Sequence, residues 1–114
     1  MSRGLVVKTN GTAVVFEQEF TNDTIQDAIG AETIELVSLG QGFSAYVDGE
    51  GLLKEPQPNE IASFLFNYLG YPMDDYPSHY INGDVFFLGG FDQEGNDLPL
   101  TEEQEKVIRI LGNI

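Results

Sequence analysis

Four side chains able to ligate a hard divalent cation, Asp74, Asp75, His79 and Asp84, fall within eleven residues. Carboxylate oxygens and an imidazole suit such an ion when they converge on one point. The spacing follows no calcium loop, since an Asp-x-Asp-x-Asp-Gly run is missing. The simpler reading makes Asp74-Asp75 a solvated loop pair and His79 a packed aromatic ring. His79 is also the only imidazole, so any Ser-His-Asp arrangement has to use it. Its neighbour Ser78 points away from it on an extended segment, and Ser38, Ser44 and Ser63 sit in no nucleophile-elbow pattern. Cysteine is absent, which excludes a thiol nucleophile, a thiolate zinc site and any disulfide. Gly40-x-Gly42 and Gly89-Gly90 open no predicted helix, so neither cradles a phosphate. With nineteen acids, some carboxylate pair stands at glycosidase separation by chance, and such a pair carries no weight. The sequence therefore predicts no catalytic residue, no metal and no cofactor.

The segment that holds most of these groups is better suited to contact than to catalysis. Residues 71–80 contain Tyr71, Tyr76, Tyr80, two prolines, His79 and the Asp74-Asp75 pair. Tyrosines bring large contact area at low entropic cost and are enriched at interfaces. Prolines stiffen a loop and reduce what binding must order. The candidate interaction residues are Tyr71, Asp74, Asp75, Tyr76, His79 and Tyr80. The competing reading has the tyrosines roofing the core beside the Phe64–Phe66 part of a helix.

Charge is the extreme property of the chain. Over 114 residues, nineteen acids face five bases, for a net charge of −14. Such a field repels nucleic-acid phosphate and anionic lipid, so no direct nucleic-acid binding and no membrane contact are expected. It draws in basic surfaces and speeds encounter with them. Lys8, Lys54, Lys106 and Arg109 are scattered rather than clustered. The apolar run Leu5-Val6-Val7 is three residues long, whereas a secretory core needs roughly 7–15 and a membrane span roughly 18. The expectation is a soluble cytoplasmic protein of one domain, residues 1–114, long enough for a single core.

The elements that position these groups follow from periodicity. Leu5–Thr9 and Ala13–Phe20 are β-rich runs around Asn10-Gly11, a hairpin signal because both positions accept positive φ. N-cap oxygens at 21–24, apolar Ile25, Ala28 and Ile29, and Gly30 beyond them predict a helix over about 22–29. Thr33–Leu39 and Phe43–Asp48 form a second strand pair joined by Gly40-Gln41-Gly42. Asn59, after Pro58, caps a widely apolar helix reaching about Leu69. Ile81–Asp92 holds Val85-Phe86-Phe87-Leu88, a run that reads as a strand buried on both faces at the centre of the sheet. Asp84 at its entry is expected to make an Asx-type bond to nearby amides. Thr101-Glu102-Glu103-Gln104 is a capping box for a last helix that Gly112 ends. The order β-β-α-β-β-α-β-α predicts an α+β fold: a mostly antiparallel sheet of about five strands, two to three helices packed on it, on one side.

In order and spacing these landmarks resemble an uncharacterised family, domain of unknown function 3846, found on phages, mobile elements and in bacteria. The resemblance rests on the N-terminal hairpin and on Ile25-Gln26-Asp27-Ala28-Ile29-Gly30 leading into Thr33-Ile34-Glu35-Leu36-Val37. It continues through Ala45-Tyr46-Val47-Asp48-Gly49-Glu50-Gly51-Leu52-Leu53, Pro58-Asn59-Glu60-Ile61-Ala62 and Ile81–Gly89, and covers about residues 4–110. The family often has paired glycines after its first helix where this chain has Gly30-Ala31. The resemblance implies no established reaction; it implies a small accessory protein of a phage or mobile element.

The functional expectation is a non-enzymatic, acidic binding protein whose partner is a protein with a basic surface, as an inhibitor or a nucleic-acid mimic. The alternative is a small ligand-binding domain or enzyme with a pocket near residues 71–84. An exposed sheet edge also leaves a homodimer open as a mode of assembly.

Overall fold

Side chains on a strand alternate between faces, so four large apolar residues in a row need cover on both sides of the sheet. Val85-Phe86-Phe87-Leu88 has that cover. In the computed structural model, which describes residues 3–50, 57–71 and 80–114, all four are fully buried. The described elements run β1 (Gly4–Val7), β2 (Ala13–Phe16), α1 (Asn22–Ile29), β3 (Ile34–Ser38), β4 (Ser44–Asp48), α2 (Glu60–Tyr68), β5 (Val85–Leu88) and α3 (Glu102–Gly112). The five strands form one sheet in the order β2-β1-β5-β4-β3, and every neighbouring pair is antiparallel. The expected α+β order is what the structure has, with β5 at the centre.

Helices occupy both faces, not one. On the first face Leu5, Val7, Val37, Ala45, Val47, Val85 and Phe87 pack with Ala62, Leu65, Phe66 and Leu69 of α2 and Ile108 of α3. On the other, Val6, Phe16, Phe86 and Leu88 pack with Ile25 and Ile29 of α1. The expectation of a one-sided sheet counted helices without applying β5's own alternation. Two apolar residues pointing each way require two covering layers.

The β1–β2 turn also differs from the expected one. Lys8 N donates to the Thr12 carbonyl at 2.8 Å and Gly11 N to the Lys8 carbonyl at 3.1 Å. That pair of bonds defines a three-residue loop closed by a glycine bulge. Only Gly11 takes positive φ, at 87°; Asn10 instead accepts from Thr12 N at 3.1 Å through its side chain. At the far end of β5, Gly89 packs so closely that a Cβ there would lie 2.3 Å from the Pro99 carbonyl oxygen. The paired glycines are thus a close-approach device at a strand end.

Helix ends follow their local signals. Thr21 and Thr24 form a reciprocal capping box on α1, and Thr101 and Gln104 form another on α3. Gly112 stays inside α3, and Asn113 takes the left-handed cap at φ 55°, a conformation asparagine tolerates. Asn59 caps α2 by accepting from Ala62 N at 3.0 Å.

Ser44, fully buried on β4, has an Oγ with no hydrogen-bond partner among the described residues. Burying an unpaired hydroxyl costs about 1–3 kcal/mol. The Ser44→Ala variant is therefore expected to be more stable than the parent by about 1 kcal/mol, read as a higher urea midpoint at unchanged slope.

Candidate functional site

The interaction residues expected from 71–80 divide into two groups. Asp74, Asp75, Tyr76 and His79 lie outside the described residues. Tyr71 packs onto the α2 side of the core, edge-on to Phe66 with ring centroids 5.7 Å apart, and its amide donates to the Phe66 carbonyl at 2.9 Å. Its ring thus lies partly buried over this part of the core. Tyr80 is 49 % exposed where the chain enters Ile81.

Asp84 has its carboxylate engaged. It accepts from the backbone amide of Thr9 at 3.0 Å and faces Lys8 Nζ at 3.8 Å. The Asx-type bond expected within its own turn is instead a bridge to the β1–β2 hairpin, seventy-five positions away. Ser63 is also committed, donating to the Asn59 carbonyl at 2.8 Å and accepting from Ile81 N at 2.9 Å. Among the described residues no three acids or histidines gather closely enough to hold a metal ion.

The few cations are largely consumed by acids. Arg3 donates through Nε and Nη2 to Glu105 Oε1 at 3.0 and 2.8 Å, and through Nη1 to Glu17 at 2.6 Å. Arg109 reaches the other Glu105 oxygen at 2.9 Å. Burial pushes the Glu105 carboxyl up, but its bonds to Arg109 and Arg3 outweigh that and hold it below its ordinary value of 4.5. A carboxylate depressed in the folded state adds stability that is full above its unfolded value and is lost as pH falls through the folded one. The stability gap between the parent and Glu105→Gln is therefore expected to be widest at neutral pH. It should narrow steadily below about pH 4.5, as followed by thermal melts across that range.

With those cations engaged, the negative charge is uneven. No lysine, arginine or histidine occurs between Lys8 and Lys54, while Glu17, Glu19, Asp23, Asp27, Glu32, Glu35, Asp48 and Glu50 all do. This stretch builds β2, α1, β3 and β4, so α1 and the β3 edge carry acid with no base of their own. Glu19, Asp23, Asp27, Glu32 and Glu35 are all exposed. Acids fall along the chain from Glu17 to Glu105. The signal lies in where the bases do not.

Two of the surface cavities lined by described residues lie away from residues 71–84. One, of about 280 Å³, lies between α2 and α3 against Ile61, Phe64 and Leu111. The other, of about 330 Å³, has Val6 and Val14 as its floor, Thr24, Asp27 and Ala28 of α1 as one wall, and Glu17-Gln18 at its end. It exists because α1 packs over β3, β4 and β5 and leaves the β2 side of that face open. Val14 is 47 % exposed there. Elsewhere on the α1 face, Tyr46 donates its hydroxyl to Asp97 at 2.6 Å. Burial first, and then this bond, push the phenol well above its ordinary value.

Fold and surface together define an acidic α+β domain: an antiparallel five-stranded sheet between two helical layers, with one layer rich in exposed carboxylates. The family model described as Domain of unknown function (DUF3846) matches residues 1–112, and the chain belongs to that family. Comparison with the curated proteins returns no match, and comparison with the solved structures returns none either. No helix among the described residues is long and apolar enough to cross a membrane.

Proposed function

We propose that this domain is a non-enzymatic binding protein, an accessory factor of a phage or mobile element that engages a host cytoplasmic component through that component's basic surface. One observation carries the reading. Between Lys8 and Lys54 the chain holds eight acids and no base, and three of the four described cations, Arg3, Lys8 and Arg109, are ion-paired within the fold. A field of one sign steers an oppositely charged partner and disfavours wrong ones. Nucleic-acid-binding proteins are the natural class of target, because they present such surfaces to phosphate. The protein would then act by occupying a groove meant for nucleic acid.

Salt is the test. Solvent-exposed charges are screened within about 10 Å at roughly 0.1 M salt. Capture of the host partner on immobilised protein should be strong at low ionic strength and largely lost at high. A partner retained equally at both removes charge as the basis of recognition.

A further inference from the structure

The open groove beside α1 adjoins a sheet edge whose backbone is available for pairing. β2 pairs only with β1 among the described strands, with Val6 opposite Val14 and Leu5 opposite Val15. In an antiparallel ladder, successive residues direct their N–H and C=O groups alternately to one side and the other. The Lys8–Thr12 bond sets the phase. Counting from it, Val14 and Phe16 face β1, while Ala13 and Val15 direct their amides and carbonyls outward. Natural edges are commonly guarded by lysine, proline or an inward charge. Ala13-Val14-Val15-Phe16 has none of these, and its bulge lies at the hairpin end.

We infer that β2 and the groove beside α1 accept an extended segment of a partner protein, carrying apolar and basic residues in alternation, as a sixth strand of the sheet. This rests on the binding reading above and specifies where and how the partner docks. Pairing to Ala13 and Val15 requires an extended backbone. Alternate side chains of that strand fall on the α1 face, where Val6, Val14 and Ala28 offer apolar contact. Asp27 stands on the wall of the groove and Asp23 one turn earlier on α1, with no base on that helix. Lys8, the one cation lining the groove, is paired with Asp84. Backbone pairing gives the register, the floor gives apolar contact, and the wall selects lysine or arginine.

The test uses a short acetylated and amidated peptide of alternating lysine and valine, titrated into the isotopically labelled protein and followed by amide chemical shifts. A control peptide of the same sequence carries N-methyl groups on every backbone amide, which keeps its charge and removes the donors of both strand edges. The expected result is shifts concentrated at Ala13, Val15 and α1, with binding weakened by about tenfold or more in the N-methylated peptide. Asp27→Lys, an exposed change, should weaken the unmodified peptide to a comparable degree, about tenfold. Val15→Pro should abolish it, and its outward amide makes proline tolerable there. Equal binding of both peptides overturns strand addition, as does the absence of shifts at β2. Salt-sensitive shifts centred on other acidic segments overturn the groove while leaving the charge-led reading standing. Binding at β2 that ignores salt overturns the charge-led reading and the demand for a basic segment.

Discussion

Replacing Asn59 with alanine is expected to remove about 2–4 kcal/mol of stability, a large share of the 5–15 kcal/mol that a domain of this size has. Asn59 is 1 % exposed. Its Oδ1 accepts from Ala62 N at 3.0 Å, capping α2, while Nδ2 donates to the carbonyls of Val7 at 2.9 Å and Gly83 at 3.0 Å. Its own amide donates to the Ile81 carbonyl at 2.7 Å. One side chain thus ties the start of α2 to the end of β1 and to the approach of β5. A lost cap alone costs about 1 kcal/mol; each of the two lost hydrogen bonds to a carbonyl adds about 0.5–1.5 kcal/mol. The aspartate variant separates the two contributions. Asn59→Asp keeps the cap acceptor but sets a carboxylate against two carbonyls, so it should be at least as damaging as Asn59→Ala. If it restored most of the stability in urea titrations, Asn59 would be a helix cap and nothing more.

The second large effect is expected at Phe86. Phe86→Ala should destabilise by about 4 kcal/mol, from lost transfer free energy and the cavity left behind. Phe86 is fully buried and lies edge-on to Phe16 at 4.8 Å, Phe20 at 5.4 Å and Tyr46 at 6.4 Å. Aromatic pairs of this kind contribute beyond their area. Phe86 is also the residue that a one-sided sheet would leave in water. A change below about 1 kcal/mol, the level of an exposed position, would mean that α1 does not cover that face. Phe64→Ala is the matched control: Phe64 is half exposed on α2 and should cost far less.

What was legible in the sequence was local. Thr21, Asn59 and Thr101 announce helix starts because capping is an interaction across three residues. Val85–Leu88 announces the sheet centre because no other position hides four apolar side chains in succession. The Asn59 donors reach Val7 across fifty-two positions, and Arg3 meets Glu105 across one hundred and two. Contacts of that range follow from topology, which local pattern does not contain. Asn10-Gly11 was read as a hairpin signal with both positions accepting positive φ, yet the side chain of Asn10 bonds Thr12 N and only Gly11 needs left-handed backbone. For the site, tyrosine and proline content drew attention to residues 71–80, where Tyr71 proves to be packed against Phe66. The groove beside α1 is made of ordinary residues, Val14, Thr24 and Ala28 among them, and becomes visible only when α1 is seen to leave Val14 of β2 exposed. The base-free interval from Lys8 to Lys54 was present in the sequence throughout, as a spacing of lysines rather than a motif of acids.

The central claim is that this base-free layer, and not net charge alone, recognises the partner. Two triple variants of equal charge change decide it: Asp23→Lys, Asp27→Lys and Glu32→Lys on and beside α1, against Glu94→Lys, Glu102→Lys and Glu103→Lys at the Asp92 turn and the start of α3. All six acids are exposed, so each set alters charge with little change to the core. Affinity for the host partner at low salt should collapse in the α1 set and remain near the parent value in the other. Equal losses in both sets, or none in the α1 set, would contradict the claim.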